Sequence, residues 1–240
     1  FVCALAESEY TSIGTKDFGV KEVQQKAASQ QIKKVAPFFG HPLSLSLSND
    51  VMLILEGEDD ERVWQQAARS SQGRIRLFPV LATSVNQQSE LENFCAPLLK
   101  SLYDEPRAYS LRDGDGATGE LPPIGAVTRF RLNCYAIENT LVSDECLQVL
   151  GINWTDLQTS VNHWIEENPD HQDKELIKEL VVSVDRMRHK KIKKIRQLIC
   201  SIAGSKKPWE VVVGQAMGTL DTSSLLTGSD NLANFIGENV

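Results

Sequence analysis

Hydrophobic and polar positions follow two different periods along this chain. Residues 1–45 are mixed and polar, with a weak helical spacing from Lys21 to Val35 through Val23, Ala27, Ala28, Ile32 and Val35. Pro37, Gly40 and Pro42 break it, and Leu43, Leu45 and Leu47 then alternate with serines, which reads as a connector entering a domain. The character changes at Val51. Val51 to Leu55 is an unbroken apolar run of strand length, as expected of a parallel strand buried on both faces. Val63, Trp64, Ala67 and Ala68 form the apolar stripe of a helix, and Ile75 to Val80 reads as a second strand. Leu91, Phe94, Cys95, Leu98, Leu99 and Leu102 recur at helical spacing, and Ala108 to Leu111 reads as a third strand. Strand and helix in alternation predict an α/β fold with a parallel sheet and right-handed crossovers.

Downstream the pattern turns helical. Trp154, Leu157, Val161, Trp164 and Ile165 form a stripe read as core. Ile177, Leu180, Val181, Val184, Ile192, Ile195, Ile199 and Ile202 keep helical spacing, which predicts one long helix over 173–202. Residues 223–240 show little pattern beyond Leu225, Leu226, Leu232 and Phe235 and are expected to form a short capping segment.

Composition narrows the class. The 240 residues carry a formal charge of −7 and are 41% hydrophobic, an ordinary globular balance. No apolar run approaches the ~18 residues of a membrane helix. The first residues, Phe1 to Ala6, lack a Met and a basic region and so do not read as a signal peptide; they look like a cut within a longer polypeptide. Five scattered cysteines (Cys3, Cys95, Cys134, Cys146, Cys200) and four dispersed histidines lack zinc-site or disulfide spacing, which suggests reduced thiols in a cytoplasmic protein.

Acidic residues concentrate where the pattern puts strand carboxyl ends, the edge at which open α/β sheets bind ligands. After the first strand come Glu56-Gly57-Glu58-Asp59-Asp60-Glu61, five carboxylates in six residues. Glu56 belongs to the strand tip, Gly57 permits a tight turn, and Asp60 points back from the first helical turn. A well-capped helix start is the plain alternative, and Glu58 and Asp59 fit either a supporting or a helix-start role. After the third strand come Asp113-Gly-Asp115-Gly116. This pair fails the EF-hand pattern, since Ala117, Thr118 and Ile124 replace the needed ligand, glycine and closing glutamate. An Asp-x-Asp of a sugar-nucleotide transferase is possible, but leaves Glu56 and Asp60 without a role. Together the two clusters suit one or two Mg²⁺ or Mn²⁺ ions.

Apolar strand, Glu56-Gly-x-x-Asp60, helix, strand, helix, and a strand ending in Asp113-x-Asp115 resemble the TOPRIM domain. The continuation Arg129-Phe-Arg-Leu-Asn-Cys-Tyr-Ala-Ile-Glu138-Asn139 is similar to the TOPRIM unit of the OLD (overcoming lysogenisation defect) nucleases, over about Leu45 to Gln215. The resemblance implies a Rossmann-like parallel sheet over 46–150, a helical extension over 151–240, and residues 1–45 as the exit from a preceding ABC-type ATPase domain. It implies a Mg²⁺- or Mn²⁺-dependent DNA endonuclease serving phage defence, with ATP used only through that ATPase domain. Glu56, Asp60, Asp113 and Asp115 become metal ligands, Glu138 an acid of the second metal site, and Lys207 or Lys206, in the 205–217 motif, the lysine beside the metals. Gly114 departs from a position often basic in relatives, which removes a phosphate contact.

Arg186 to Arg196 holds seven Lys/Arg in eleven residues. In an acidic chain this suggests DNA contact by Arg186, Arg188, Lys190, Lys191, Lys193 and Lys194, or else a solvated helix face docked on an acidic neighbour. The resemblance implies a homo-oligomer, a dimer or larger, and an accessory protein or nucleic acid as activator. The rival from another class is a non-catalytic TOPRIM module working by assembly within a defence complex.

Overall fold

The computed structural model describes residues 51–102, 107–117, 119–220 and 228–237. The expected connector over 1–45 lies outside them. Four strands form one parallel sheet in the order β2-β1-β3-β4: β1 (Val51–Leu55), β2 (Leu77–Leu81), β3 (Ala108–Arg112) and β4 (Val127–Arg131). β1 pairs β2 from Val51↔Leu77 to Leu55↔Leu81 and pairs β3 from Met52↔Ala108 to Leu55↔Leu111. Pro79 sits in the edge strand β2, where its missing N–H costs least.

Side chains alternate across β1, and both faces are covered. Leu53 and Leu55 join Val63, Trp64 and Ala67 of helix α1 (Glu58–Ser70) in one core. On the opposite face Met52 meets Cys95 of helix α2 (Val85–Leu102), sulfur to sulfur at 3.7 Å. The expected doubly covered strand is thus present. Since α1 and α2 cover opposite faces, the chain leaves β1 and β3 in opposite senses, and a crevice opens between their carboxyl ends.

After β4 come a short 3-10 helix (Ile137–Val142), α3 (Asp144–Leu150), α4 (Trp154–Glu167), α5 (Lys174–Val182), α6 (Arg196–Ile202), α7 (Trp209–Thr219) and α8 (Leu232–Ile236). α7 lies along α1. Leu157, Ile177, Ile199, Val213 and Phe235 share the core of Leu55 and Trp64, so the helical extension and the sheet are built on one core. Trp154 and Trp164 are partly buried against it. Cys95, Cys134, Cys146 and Cys200 are buried and unpaired, and burial pushes the Cys95 and Cys200 thiols up to about 12. Among the described residues, no helix is long and apolar enough to cross a membrane.

The helix expected over 173–202 is instead two helices separated by thirteen non-helical residues, 183–195. The reason is local competition. The Met187 N–H donates to Ser183 Oγ (2.8 Å) and Asp185 Oδ1 (3.1 Å), which turns the chain out of the helix. Arg186 and Met187 then adopt left-handed backbone at φ 53° and 54°. Met187, Ile192 and Ile195 remain fully buried, while Val184, expected in the same apolar stripe, is 98% exposed.

Candidate metal and phosphate site

Three segments bring carboxylates to the carboxyl edge of the sheet. Glu56 follows β1. Asp60, in the first turn of α1, accepts the backbone N–H of Gly57, the reciprocal half of a capping box. Gly57 has ordinary extended backbone (φ −122°); its lack of a side chain matters because a Cβ there would stand 2.9 Å from Asp60 Oδ2. Asp113 follows β3. Asp115 sits in left-handed backbone (φ 46°) and its N–H donates to Tyr135 O at 2.9 Å, tying this loop to the chain after β4. Glu138, 4% exposed, comes from the 3-10 helix.

The electrostatics report the convergence. Burial first, then the charges of Asp60, Glu138, Asp115 and Glu56, pushes the Asp113 carboxyl up to about 8. Burial, then Glu138 and Asp59, pushes Asp60 up to about 7. Glu56 is raised by burial and by Asp115. Asp59 behaves oppositely: against a burial that would raise it, Lys193 and Arg196 hold it below the usual carboxylate range. Lys193 Nζ lies 2.9 Å from Asp59 Oδ2 and 3.6 Å from Glu138 Oε1. Arg196 Nη1 bridges the same two acids at 2.9 and 3.0 Å. The cluster therefore has a neutralised side, Asp59 and Glu138, and a side under mutual repulsion, Asp60, Asp113, Asp115 and Glu56.

That second side offers only hard oxygen donors, the set Mg²⁺ and Mn²⁺ take. A divalent cation there would relieve the repulsion that adds to burial in raising Asp60 and Asp113, so the residues fit such an ion in chemistry. Among the described residues, no three Asp, Glu, His or Cys side chains already stand in an arrangement that would hold a metal ion.

The basic stretch divides by function once folded. Arg186 is 8% exposed, paired with Asp144 Oδ1 at 2.6 Å, donating to Val142 O at 3.0 Å and stacked 4.6 Å over Trp154. Arg188 pairs with Asp230, bonds Ser229 O and stacks over Phe235 at 4.4 Å. The turn at 183–187 directs both of these residues, expected on DNA, into the protein, where they pair with Asp144 and Asp230. Lys190 pairs with Glu179, while Lys191 and Lys194 are exposed. Lys193, expected on DNA, points at the carboxylates. Lys206 and Lys207 are exposed, and Lys207 Nζ donates to Gln215 Oε1 at 3.0 Å; among the described residues neither forms an ion pair with the cluster.

Arg196 and Asn139 are the site residues that sequence reading missed. Asn139 Nδ2 donates to Met187 O (2.8 Å) and Lys190 O (2.7 Å), so the residue next to Glu138 holds down the segment that delivers Lys193. Replacing Asn139 by Ala orphans two carbonyls and is expected to cost roughly 1–3 kcal/mol, read as a lower urea midpoint. Its position within the Ile-Glu-Asn motif was the available signal. Comparison of the chain with protein-family models, with curated proteins and with solved structures finds no match.

Proposed function

We propose that this chain carries a TOPRIM-type, metal-dependent nuclease unit that hydrolyses DNA phosphodiesters. Glu56, Asp60, Asp113 and Asp115, with Glu138, would hold one or two Mg²⁺ or Mn²⁺ ions. The observation that carries this reading is the convergence on Asp113: four further carboxylates from three segments act on it at the crevice between β1 and β3. When bound, the metal supplies a Lewis acid for the phosphoryl oxygen and a more acidic water.

The chain's own residues do the positioning. Gly57 and its N–H orient Asp60, and the Asp115–Tyr135 bond sets the loop that carries Asp113. Because the carboxyls of Asp60 and Asp113 are raised, holding a metal there would require them to give up protons, which ties metal affinity to pH. On the same reading an ATPase domain precedes this unit and uses the ATP. The protein is cytoplasmic, assembles as a homo-oligomer, and serves phage defence under an accessory protein or nucleic acid trigger.

The test is cleavage of plasmid and linear DNA by the full-length protein in Mg²⁺, Mn²⁺ or EDTA. Cutting should require the metal and fall at least about 100-fold in Glu56→Ala, because even groups one step removed from a metal cost 10–100-fold when lost. Wild-type cutting by that variant would refute the ligand assignment. A second reading, a non-catalytic assembly module on the same fold, draws on one observation. Lys193 and Arg196 satisfy Asp59 and Glu138 without any metal. It predicts no cutting under any metal.

A further inference from the structure

The two cations of the site arrive on a shelf held from several sides. Asn139 Nδ2 binds the carbonyls of Met187 and Lys190, and the Tyr135 N–H donates to Arg188 O at 2.7 Å. Arg186 and Arg188 anchor it inward through Asp144 and Asp230. What remains at its outer edge is cationic: Lys190, Lys191, Lys193 and Lys194 are all exposed. Its end places Lys193 and Arg196 against Asp59 and Glu138.

Arg196 is also stacked 4.8 Å over the ring of Trp209, which is 4% exposed. The plane of the guanidinium is therefore set before any ligand arrives. The Lys193 side chain is 53% exposed, so its ammonium reaches solvent while one donor engages Asp59.

Resting on the nuclease reading above, we propose that Lys193 and Arg196 are the phosphate-contacting residues of this site. A phosphodiester approaching clustered carboxylates brings negative charge into a negative region. It needs fixed cations at the rim to be held there. Lys193 supplies a mobile point charge, and Arg196 a pre-oriented fork of the kind that grips phosphate oxygens. Both flank Glu138, so a phosphate they hold lies beside a proposed metal ligand. Among the described residues, Lys206 and Lys207 form no ion pair with the cluster.

The test measures binding of a duplex of about 30 base pairs by the full-length protein against salt concentration, in EDTA and in Ca²⁺. Cleavage in Mg²⁺ is followed in parallel. Lys193→Ala should weaken binding about tenfold and make the slope of log K against log salt shallower by roughly 0.9. Arg196→Lys should keep the slope but lose kcat, because the charge stays and the fork goes. Lysine is chosen over alanine there because an uncharged residue would leave buried Glu138 with only the longer Lys193 contact at 3.6 Å. Lys178→Ala, an exposed cation of α5 outside the shelf, should leave the slope unchanged.

Wild-type slope and affinity in Lys193→Ala together with wild-type kcat in Arg196→Lys would overturn the assignment. So would a slope lost instead in the Lys206→Ala, Lys207→Ala pair. In both cases metal-dependent cleavage by the wild type would leave the nuclease reading standing. A wild-type protein that neither binds nor cuts DNA under any metal removes that reading, and the assignment falls with it.

Discussion

Asp113→Asn is expected to abolish cleavage and to stabilise the metal-free protein. On the nuclease reading, Asp113 would be a metal ligand, and its loss should cost at least about 100-fold in rate. The stability effect has the opposite sign because the Asp113 carboxyl is pushed up to about 8 in the fold by burial and by Asp60, Glu138, Asp115 and Glu56. A group whose folded value is raised contributes stability that is fully present below its unfolded value, near 4. That contribution is lost as pH rises through the folded value. Asp60, pushed up to about 7, follows the same course. In EDTA the wild type should therefore melt progressively lower between about pH 4 and pH 8. Asp113→Asn should flatten that decline and melt several degrees higher at pH 8.

On the same reading, divalent metal should act the other way, because it would bind the deprotonated carboxylates. Its stabilising effect on the wild type should be larger at pH 8 than at pH 6, and nearly absent in Asp113→Asn. Melting curves at three pH values, with Mg²⁺ or EDTA, decide the matter. A wild-type protein equally stable in EDTA at pH 5 and pH 8 would show that Asp113 and Asp60 are not raised.

Gly114→Ala should have the largest effect on the fold itself. A Cβ at this buried position would stand 2.0 Å from the Cys134 carbonyl oxygen and 3.0 Å from that of Leu132. Both atoms are backbone, so the chain must move, at a cost of about 3 kcal/mol or more. The same loop carries Asp113 and Asp115, and the Asp115–Tyr135 bond crosses the same contact. Metal should then fail to stabilise even the fraction that folds. Urea unfolding with and without Mg²⁺ measures both effects, and a wild-type midpoint would mean that the loop does not lie against 132–134. Gly114 is thus a packing requirement of this loop.

β1 was legible because a run buried on both faces needs no partner to be recognised. The carboxylates Glu56 and Asp113 were legible because acids at strand ends stand out against apolar strands. The helix over 173–202 misled for a physical reason. Ile192, Ile195, Ile199 and Ile202 keep helical spacing in the sequence, while the turn depends on which way Ser183 and Asp185 direct their side chains. Arg186 and Lys193 look alike in sequence, yet one is 8% exposed beneath the surface and the other faces the carboxylates.

Local periodicity and side-chain chemistry were therefore enough to specify an α/β sheet and the two acidic loops at its carboxyl edge. Both are properties of neighbouring residues. Which cations meet those acids was decided only by the tertiary structure. Arg196 reaches Glu138 across 58 residues of chain and Asp59 across 137. Those pairings exist because Asn139, Trp209 and the shared core fix a non-helical segment in place, and no sequence period encodes contacts made at that distance.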